Sequence, residues 1–180
     1  EELKKMKDDI VELFVDVTKS STSTSYAKEK ATIGLAFVIG DQEEKVDLIV
    51  EQSAIHLIIQ RLSDVLVRND IFFARAEILL QVATLLSSCQ PNALALLQAG
   101  IAPLLVLALK RSDTPHIQRH AALCVVAMSF VSEIGQSLME EEGMVAALNG
   151  IAKGRGHIAG DACRTALWLK SSMDRSTISN

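Results

Sequence analysis

The apolar residues of this chain recur at helical spacing in segments that repeat about every 45 residues. Four of these segments open on an alanine (Ala31, Ala76, Ala121 and Ala162), and apolar side chains follow one and two turns later. The steps between the alanines are 45, 45 and 41 residues. Self-similarity at about 40–47 residues is typical of helical repeats with two or three helices per unit. The pattern therefore predicts an all-α fold of stacked units.

The clearest unit spans residues 90–132, and its apolar spacing predicts helices over 92–98, 101–110 and 115–131. Gly100 ends the first helix at a position that favours a left-handed backbone. Thr114 and Pro115 are the residue types preferred at an N-cap and at the first helical position. The unit is therefore expected to contain a short, a medium and a long helix.

The same plan extends in both directions along the chain. Downstream, Gly143 stands 43 residues after Gly100, and helices are expected over 134–142, 144–152 and 157–172. Upstream, helices are expected over 3–17, 26–39, 43–52, 54–67 and 71–87. We therefore expect one domain, 1–180, with three full units and a partial first one. Its units fall near 1–40, 41–89, 90–132 and 133–172, and a tail covers 173–180.

Two segments carry a family resemblance. LQAGIAPLL at 97–105 and EEGMVAAL at 141–148, with three helices per unit, resemble the armadillo repeat. HEAT repeats are the neighbouring class, and the glycine between the first two helices favours armadillo. The resemblance covers nearly the whole chain and implies a right-handed α-α superhelix, the armadillo-type helical solenoid. Single units of such folds cannot bury their own apolar faces, so stacking stabilises them.

The resemblance also implies a binding surface, because the third helices of armadillo proteins line a concave groove that binds extended segments. The Trp and Asn positions of nuclear-import receptors are not matched here, so recognition of a nuclear signal is not expected. The groove would instead be largely apolar with a basic rim, suited to an extended or helical partner segment with apolar and acidic side chains. The alternative is that other parts of the protein cover it. The expected groove residues are Lys30, Ile33, Phe37, Arg75, Ile78, Leu79, Val82, Arg119, His120, Leu123, Arg164 and Trp168.

Composition narrows the class of protein. The formal net charge is −4, which disfavours nucleic acid as a partner. The start of the chain lacks an apolar signal core, and it begins partway through a repeat, so we expect a cytoplasmic fragment of a longer protein, with the nucleus left open. The uncharged stretch 93–109 contains Gly100 and Pro103, so it is interpreted as two buried helices rather than a membrane span. The three cysteines are expected to be buried thiols.

The sequence gives little support for a nucleotide-binding, metal-binding or catalytic site. The glycines near 150–160 do not follow a strand and do not match a dinucleotide-binding fingerprint. His116 and His120 have helical i, i+4 spacing but lack the further ligands that zinc needs. No nucleophile–base constellation is evident, so we expect neither an enzyme nor a cofactor or metal site. The Ser/Thr-rich segment 18–25 is expected to be a flexible connector, with phosphorylation as the alternative.

The sequence therefore favours a protein–protein interaction module, a scaffold or adaptor. Two alternatives stay open. The stretch 133–154 is similar to the last repeats of UCS-type myosin chaperones, which implies a co-chaperone that holds a client protein. A structural spacer that fills its own groove would bind nothing.

Overall fold

The computed structural model describes residues 9–10, 12–17, 20–24, 26–28, 30–31, 33–34, 52–67, 73–154 and 157–178. Every regular element in these ranges is a helix, and no strand occurs among them, which confirms the predicted all-α class. From residue 52 onward the helices of this part are α1 (Gln52–Val67), α2 (Phe73–Leu86), α3 (Gln90–Gln98), α4 (Ile101–Leu109), α5 (Pro115–Ser129), α6 (Ser132–Glu140), α7 (Met144–Ala152) and α8 (Gly160–Ile178).

The described residues between 9 and 34 include two helical stretches that touch each other. A Cβ atom at Gly34 would lie 2.6 Å from the Phe14 ring, so glycine is what allows this close approach. Ala31 is buried, and the Thr24 hydroxyl accepts a hydrogen bond from the Ala27 amide (3.2 Å) at the start of the second stretch. The helix expected over 43–52 falls outside the described residues except for Gln52, which begins α1.

Helices at equivalent positions of the units predicted from the sequence are in contact with each other. The third helices α2, α5 and α8 form one row, and the second helices α1, α4 and α7 form another. The first helices α3 and α6 are also in contact. One continuous core of mostly aliphatic side chains runs through these rows. The core is therefore shared between units rather than enclosed within each one.

The burial pattern corrects the alignment of the third helices. The buried positions of α2 recur in α5 after 42 residues, so that Leu79 corresponds to Ala121 and Ser87 to Ser129. The sequence pattern instead paired Ala76 with Ala121 at 45 residues, which is one helical turn away. Ala76 in fact corresponds to the buried Gln118. The sequence pairs Ala121 with Ala162 at a step of 41 residues, but Ala121 is fully buried and Ala162 only half-buried, so burial does not confirm this step.

The two glycines between first and second helices have the conformation that the sequence predicts. Gly100 has φ 88° and Gly143 has φ 86°, both in the left-handed region. A side chain is strained there, so glycine permits the sharp change of direction into α4 and α7. Thr114 does stand at the N-cap of α5, but its hydroxyl makes no capping hydrogen bond and is buried without a partner. The predicted N-cap position of Thr114 is confirmed.

The C-terminal ends of the second helices share a capping arrangement that the sequence analysis missed. The carbonyls of Leu66, Leu109 and Ala152, spaced 43 residues apart, each accept a hydrogen bond from a later side chain. The donors are Arg111 Nη2 at 2.9 Å, Gln118 Nε2 at 2.7 Å and Arg164 Nη1 at 3.0 Å, respectively. Helix ends leave carbonyls without intrahelical partners, and these side chains satisfy one at each end.

The last helix differs most from its prediction. It begins at Gly160 rather than at 157, because His157 lies in the preceding turn, where its Nδ1 accepts a hydrogen bond from the Ala159 amide (3.1 Å). The helix then continues to Ile178, so the boundary expected at 172 falls inside it. Met173 is buried, which places at least the first residue of the predicted tail in the packed structure.

In the described part of the chain, no single helix is long and apolar enough to cross a membrane. The helices α3 and α4 reach that length and composition only as a pair bent by 82° at Gly100. Most of their apolar side chains lie in the core.

Candidate interaction surface

The three third helices present a matched set of surface positions. With α2 and α5 aligned by their burial, and α8 placed by the 41-residue step of the sequence pattern, the three helices have equivalent surface positions at three levels. Because the three helices pack in a row, these positions form one surface, which we name the third-helix surface. Its residues are Ile78, Gln81 and Leu85 on α2, His120, Leu123 and Ala127 on α5, and Asp161, Arg164 and Trp168 on α8.

The levels of this surface differ in polarity. The level formed by Leu85, Ala127 and Trp168 is apolar across all three helices. Trp168 has 63% of its surface exposed, and Phe130, which follows the last residue of α5, has 74% exposed. Leu85 and Ala127 are half-buried, so Trp168 is the large exposed side chain of this level. Contiguous exposed apolar surface is typical of interaction sites.

Two of the residues expected to line a groove cannot do so. Leu79 and Val82 have no exposed surface and belong to the core between α2 and α5. Their assignment is wrong because the groove positions were counted from Ala76, one turn too early. Counted from Leu79, the surface positions of α2 become Ile78, Gln81 and Leu85, which are all at least partly exposed.

Of the other expected groove residues, two are not fully described and two belong to the N-terminal part of the chain. Arg75 belongs to α2, but its side chain is not described, and Phe37 lies outside the described residues. Lys30 is exposed with its ammonium 5.3 Å from the centre of the Tyr26 ring, a cation–π contact. Ile33 is half-buried and packs against the core. Among the described residues, no hydrogen bond or ion pair joins Lys30 or Ile33 to the third-helix surface.

His120 connects α5 to α2 at the polar side of the surface. Its Nε2 atom lies 3.2 Å from Glu77 Oε1 and 3.2 Å from Gln81 Nε2. A single ring nitrogen cannot serve both, because it donates to the carboxylate when protonated and accepts from the amide when not. Neither partner was foreseen, since Glu77 and Gln81 precede His120 by 43 and 39 residues.

Burial and the neighbouring charged groups act on the pKa of His120 in opposite directions. Burial lowers its pKa below the ordinary 6.5, while the Glu77 carboxylate acts to raise it. The neighbouring Arg119 and His116 act to lower it further. Burial is the largest of these influences, so the neutral imidazole is favoured near neutral pH. The surface therefore carries less positive charge at this point than its sequence indicates.

Arg164, also expected to line the groove, makes contacts within the fold. One of its guanidinium nitrogens donates to the Ala152 carbonyl (3.0 Å), and the other donates to the carboxylate of Asp161. The Asp161 pair is exposed and contributes little to stability. Arg119 remains as an exposed cation on α5.

The cysteines are buried, as predicted, and they are free thiols. Burial raises the pKa of Cys124 to about 12, although hydrogen bonds with Thr84 of α2 and with Ser87, which follows α2, oppose the shift. Burial likewise raises the pKa of Cys163 to about 11. Neutral, buried thiols of this kind are poor nucleophiles.

Within the described ranges, no three His, Cys, Asp or Glu residues lie close enough together to hold a metal ion. His116 is exposed, and His120 is occupied by its contacts with α2.

Comparison of the chain with protein-family models, with curated proteins and with solved structures finds no match. Both the class of the protein and its function therefore rest on the sequence and the geometry given above.

Proposed function

We propose that this chain is an armadillo-type helical solenoid that binds a segment of another protein across its third-helix surface. The solenoid interpretation is supported by the packing of first, second and third helices each onto the equivalent helix of the next unit. Such architectures present extended surfaces that span several units.

The observation that carries the proposed function is the apolar level Leu85–Ala127–Trp168 with Phe130 beside it. Ala127 is the small side chain of this level, between two larger ones, and an apolar side chain of the partner would pack over it. The exposed Trp168 offers the large contact area typical of binding hot spots. Arg119 at the polar side would favour a partner that also carries a carboxylate.

The test is a peptide selection on the immobilised protein, using a large random library. Peptides enriched on the wild type are then measured against Trp168→Glu, Ile78→Glu and Leu94→Glu. Leu94 is a matched control, since it is an exposed leucine (45%) on the first helix α3 rather than on a third helix. We expect the Trp168 and Ile78 variants to lose at least about tenfold in affinity and the Leu94 variant to bind as the wild type does.

Two outcomes would contradict this function. If no peptide is enriched, or if all three variants bind equally well, the third-helix surface is not a peptide-binding site. If enrichment shows no sequence preference and the protein instead prevents aggregation of an unfolded client, the chaperone alternative is favoured.

A further inference from the structure

One ring nitrogen of His120 lies between two side chains of α2 that require opposite things from it. Glu77 Oε1 and Gln81 Nε2 are each 3.2 Å from His120 Nε2, and the two residues are neighbours one helical turn apart. A carboxylate only accepts a hydrogen bond, whereas the NH2 group of an amide only donates one. The presence or absence of a proton on Nε2 therefore decides which of the two side chains is bonded to α5.

The orientation of Gln81 fits the neutral form of the ring. Gln81 presents its amide nitrogen to His120, so it donates to a ring that carries its own proton on Nδ1 and accepts at Nε2. Protonation adds a hydrogen at Nε2, which then donates to the Glu77 carboxylate and is repelled by the NH2 group of Gln81. The Gln81 amide must then turn over or leave the ring.

The charged groups that act on His120 come from α2 and from its own helix. Burial of the ring is the largest influence and opposes protonation, and Glu77 of α2 is the one that favours it. His116 and Arg119 of α5 oppose protonation. Because the pKa of His120 is lowered below its ordinary 6.5, the folded protein takes up this proton only in the mildly acidic range.

Three other helices pack against α5. The helix α4 has no titratable side chain. The acidic residues of α6, Glu133 and Glu140, are not among the groups that act on His120. The helix α8 has Asp161 at the level of His120, but this carboxylate is paired with Arg164. Among the described charged groups, Glu77 is therefore the partner for a proton on His120.

A change of partner at His120 alters the third-helix surface in two ways. Gln81 belongs to that surface, so an amide that leaves His120 is available to hydrogen-bond the backbone of a bound segment. The Glu77 charge is at the same time matched by the imidazolium, which removes a repulsion toward carboxylates of a partner. Aspartate and glutamate side chains, with ordinary pKa values of about 3.9 and 4.3, stay ionised when His120 takes up its proton.

We propose that His120 is a proton-operated switch of the third-helix surface: in mildly acidic solution it exchanges Gln81 for Glu77 and thereby strengthens the binding of a segment that carries carboxylates. The effect on binding rests on the proposed function. The exchange of hydrogen-bond partners is a property of the protein alone, so the two parts are tested separately.

The exchange is tested by a pH titration of the full chain labelled with ¹⁵N-histidine, in which NMR distinguishes a bare ring nitrogen from a protonated one. The His120 signals are those missing from the spectrum of His120→Gln. At about pH 7.5 we expect Nε2 to carry no proton. Two variants of nearly unchanged size should then shift the titration in opposite directions. Glu77→Gln should weaken proton binding to His120 at least about threefold, and Gln81→Met, which removes the donor that favours the neutral ring, should strengthen it at least about threefold.

The effect on binding is tested with an enriched peptide that carries a carboxylate, at about pH 7.5 and about pH 5.5. His116→Gln is the matched control for His120→Gln, since His116 is an exposed histidine one turn earlier on α5. We expect the wild type and His116→Gln to bind at least about threefold more tightly at the lower pH, and His120→Gln to bind equally at both. Circular dichroism checks that each protein stays folded at both values.

The outcomes separate the switch from the proposed function. A proton on Nε2 at the higher pH, or shifts of the two variants in the same direction, would overturn the switch itself. Opposite shifts together with an affinity that does not change with pH, or that changes equally in His120→Gln, would overturn its role in binding. If no peptide is enriched, the proposed function fails and the role in binding fails with it, while the ring titration still decides the exchange.

Discussion

The capping of α4 by Gln118 can be tested quantitatively. Gln118 is 4% exposed, and its Nε2 donates to the Leu109 carbonyl at 2.7 Å, while its Oε1 has no partner. Gln118→Ala leaves a buried carbonyl without this donor, at a cost of about 1–3 kcal/mol. It also removes one buried methylene, worth about 0.8 kcal/mol. Because the unpartnered Oε1 disappears as well, we expect a net loss of about 2 kcal/mol in the free energy of unfolding.

Gln118→Met separates the lost hydrogen bond from the lost packing. Methionine keeps a similar volume and removes the buried Oε1, so this variant should be about 1 kcal/mol more stable than Gln118→Ala. Urea unfolding followed by circular dichroism at 222 nm gives both free energies and the slope that reports exposed surface. Arg119→Ala is the control, since Arg119 is the exposed next residue of α5 and should change stability by less than about 0.5 kcal/mol.

Two results would refute the assigned role of Gln118. The first is a Gln118→Ala protein that unfolds within about 0.5 kcal/mol of the wild type, which would mean that the buried amide contributes nothing net. The second is a Gln118→Met protein less stable than Gln118→Ala, which would mean that filling the volume does not stabilise this site once the amide is removed.

Three further outcomes follow from the geometry. Gly100→Ala and Gly143→Ala should each lose about 1 kcal/mol by urea unfolding, because alanine is strained at their positive φ; wild-type stability in either would contradict this. Burial lowers the pKa of His120 in the folded protein below 6.5, so the unfolded chain takes up this proton at a higher pH than the folded chain does. The free energy of unfolding should therefore fall as pH drops through 6.5. His120→Gln should flatten this dependence between about pH 7.5 and 5. Cys124, with its pKa raised to about 12, should react with iodoacetamide at pH 8 only as fast as the protein unfolds, and rapid labelling of the native protein would contradict its burial.

The helix ends were largely predictable from the sequence because their signals are local. Gly100 and Gly143 mark left-handed turns through their own backbone preference, and Pro115 marks the start of α5 through its fixed φ. None of these inferences requires knowledge of a distant residue. The end of α8 was missed because polar residues after 172 carry no local stop signal, and burial of Met173 depends on Gly135 of another helix.

The surface was harder to predict because it depends on register between helices. Small residues in α2 and α5 allow two alignments, and only packing shows that Leu79, not Ala76, corresponds to Ala121. That error of one turn placed two core residues on the surface. The contacts of His120 with α2 join residues about 40 positions apart, and spacing within a single helix cannot reveal them.

The capping hydrogen bonds at the ends of the second helices also bear on how the chain acquires its structure during synthesis. The Leu66 carbonyl accepts a hydrogen bond from Arg111, which is synthesised 45 residues later. The Leu109 carbonyl accepts one from Gln118, which is synthesised only nine residues later. At about 5–20 residues per second, the end of α1 stays without this partner for about 2–9 s after Leu66 is added. The nascent chain therefore completes the end of α4 soon after making it, but it completes the end of α1 only after about half of the following unit, 90–132, has been made.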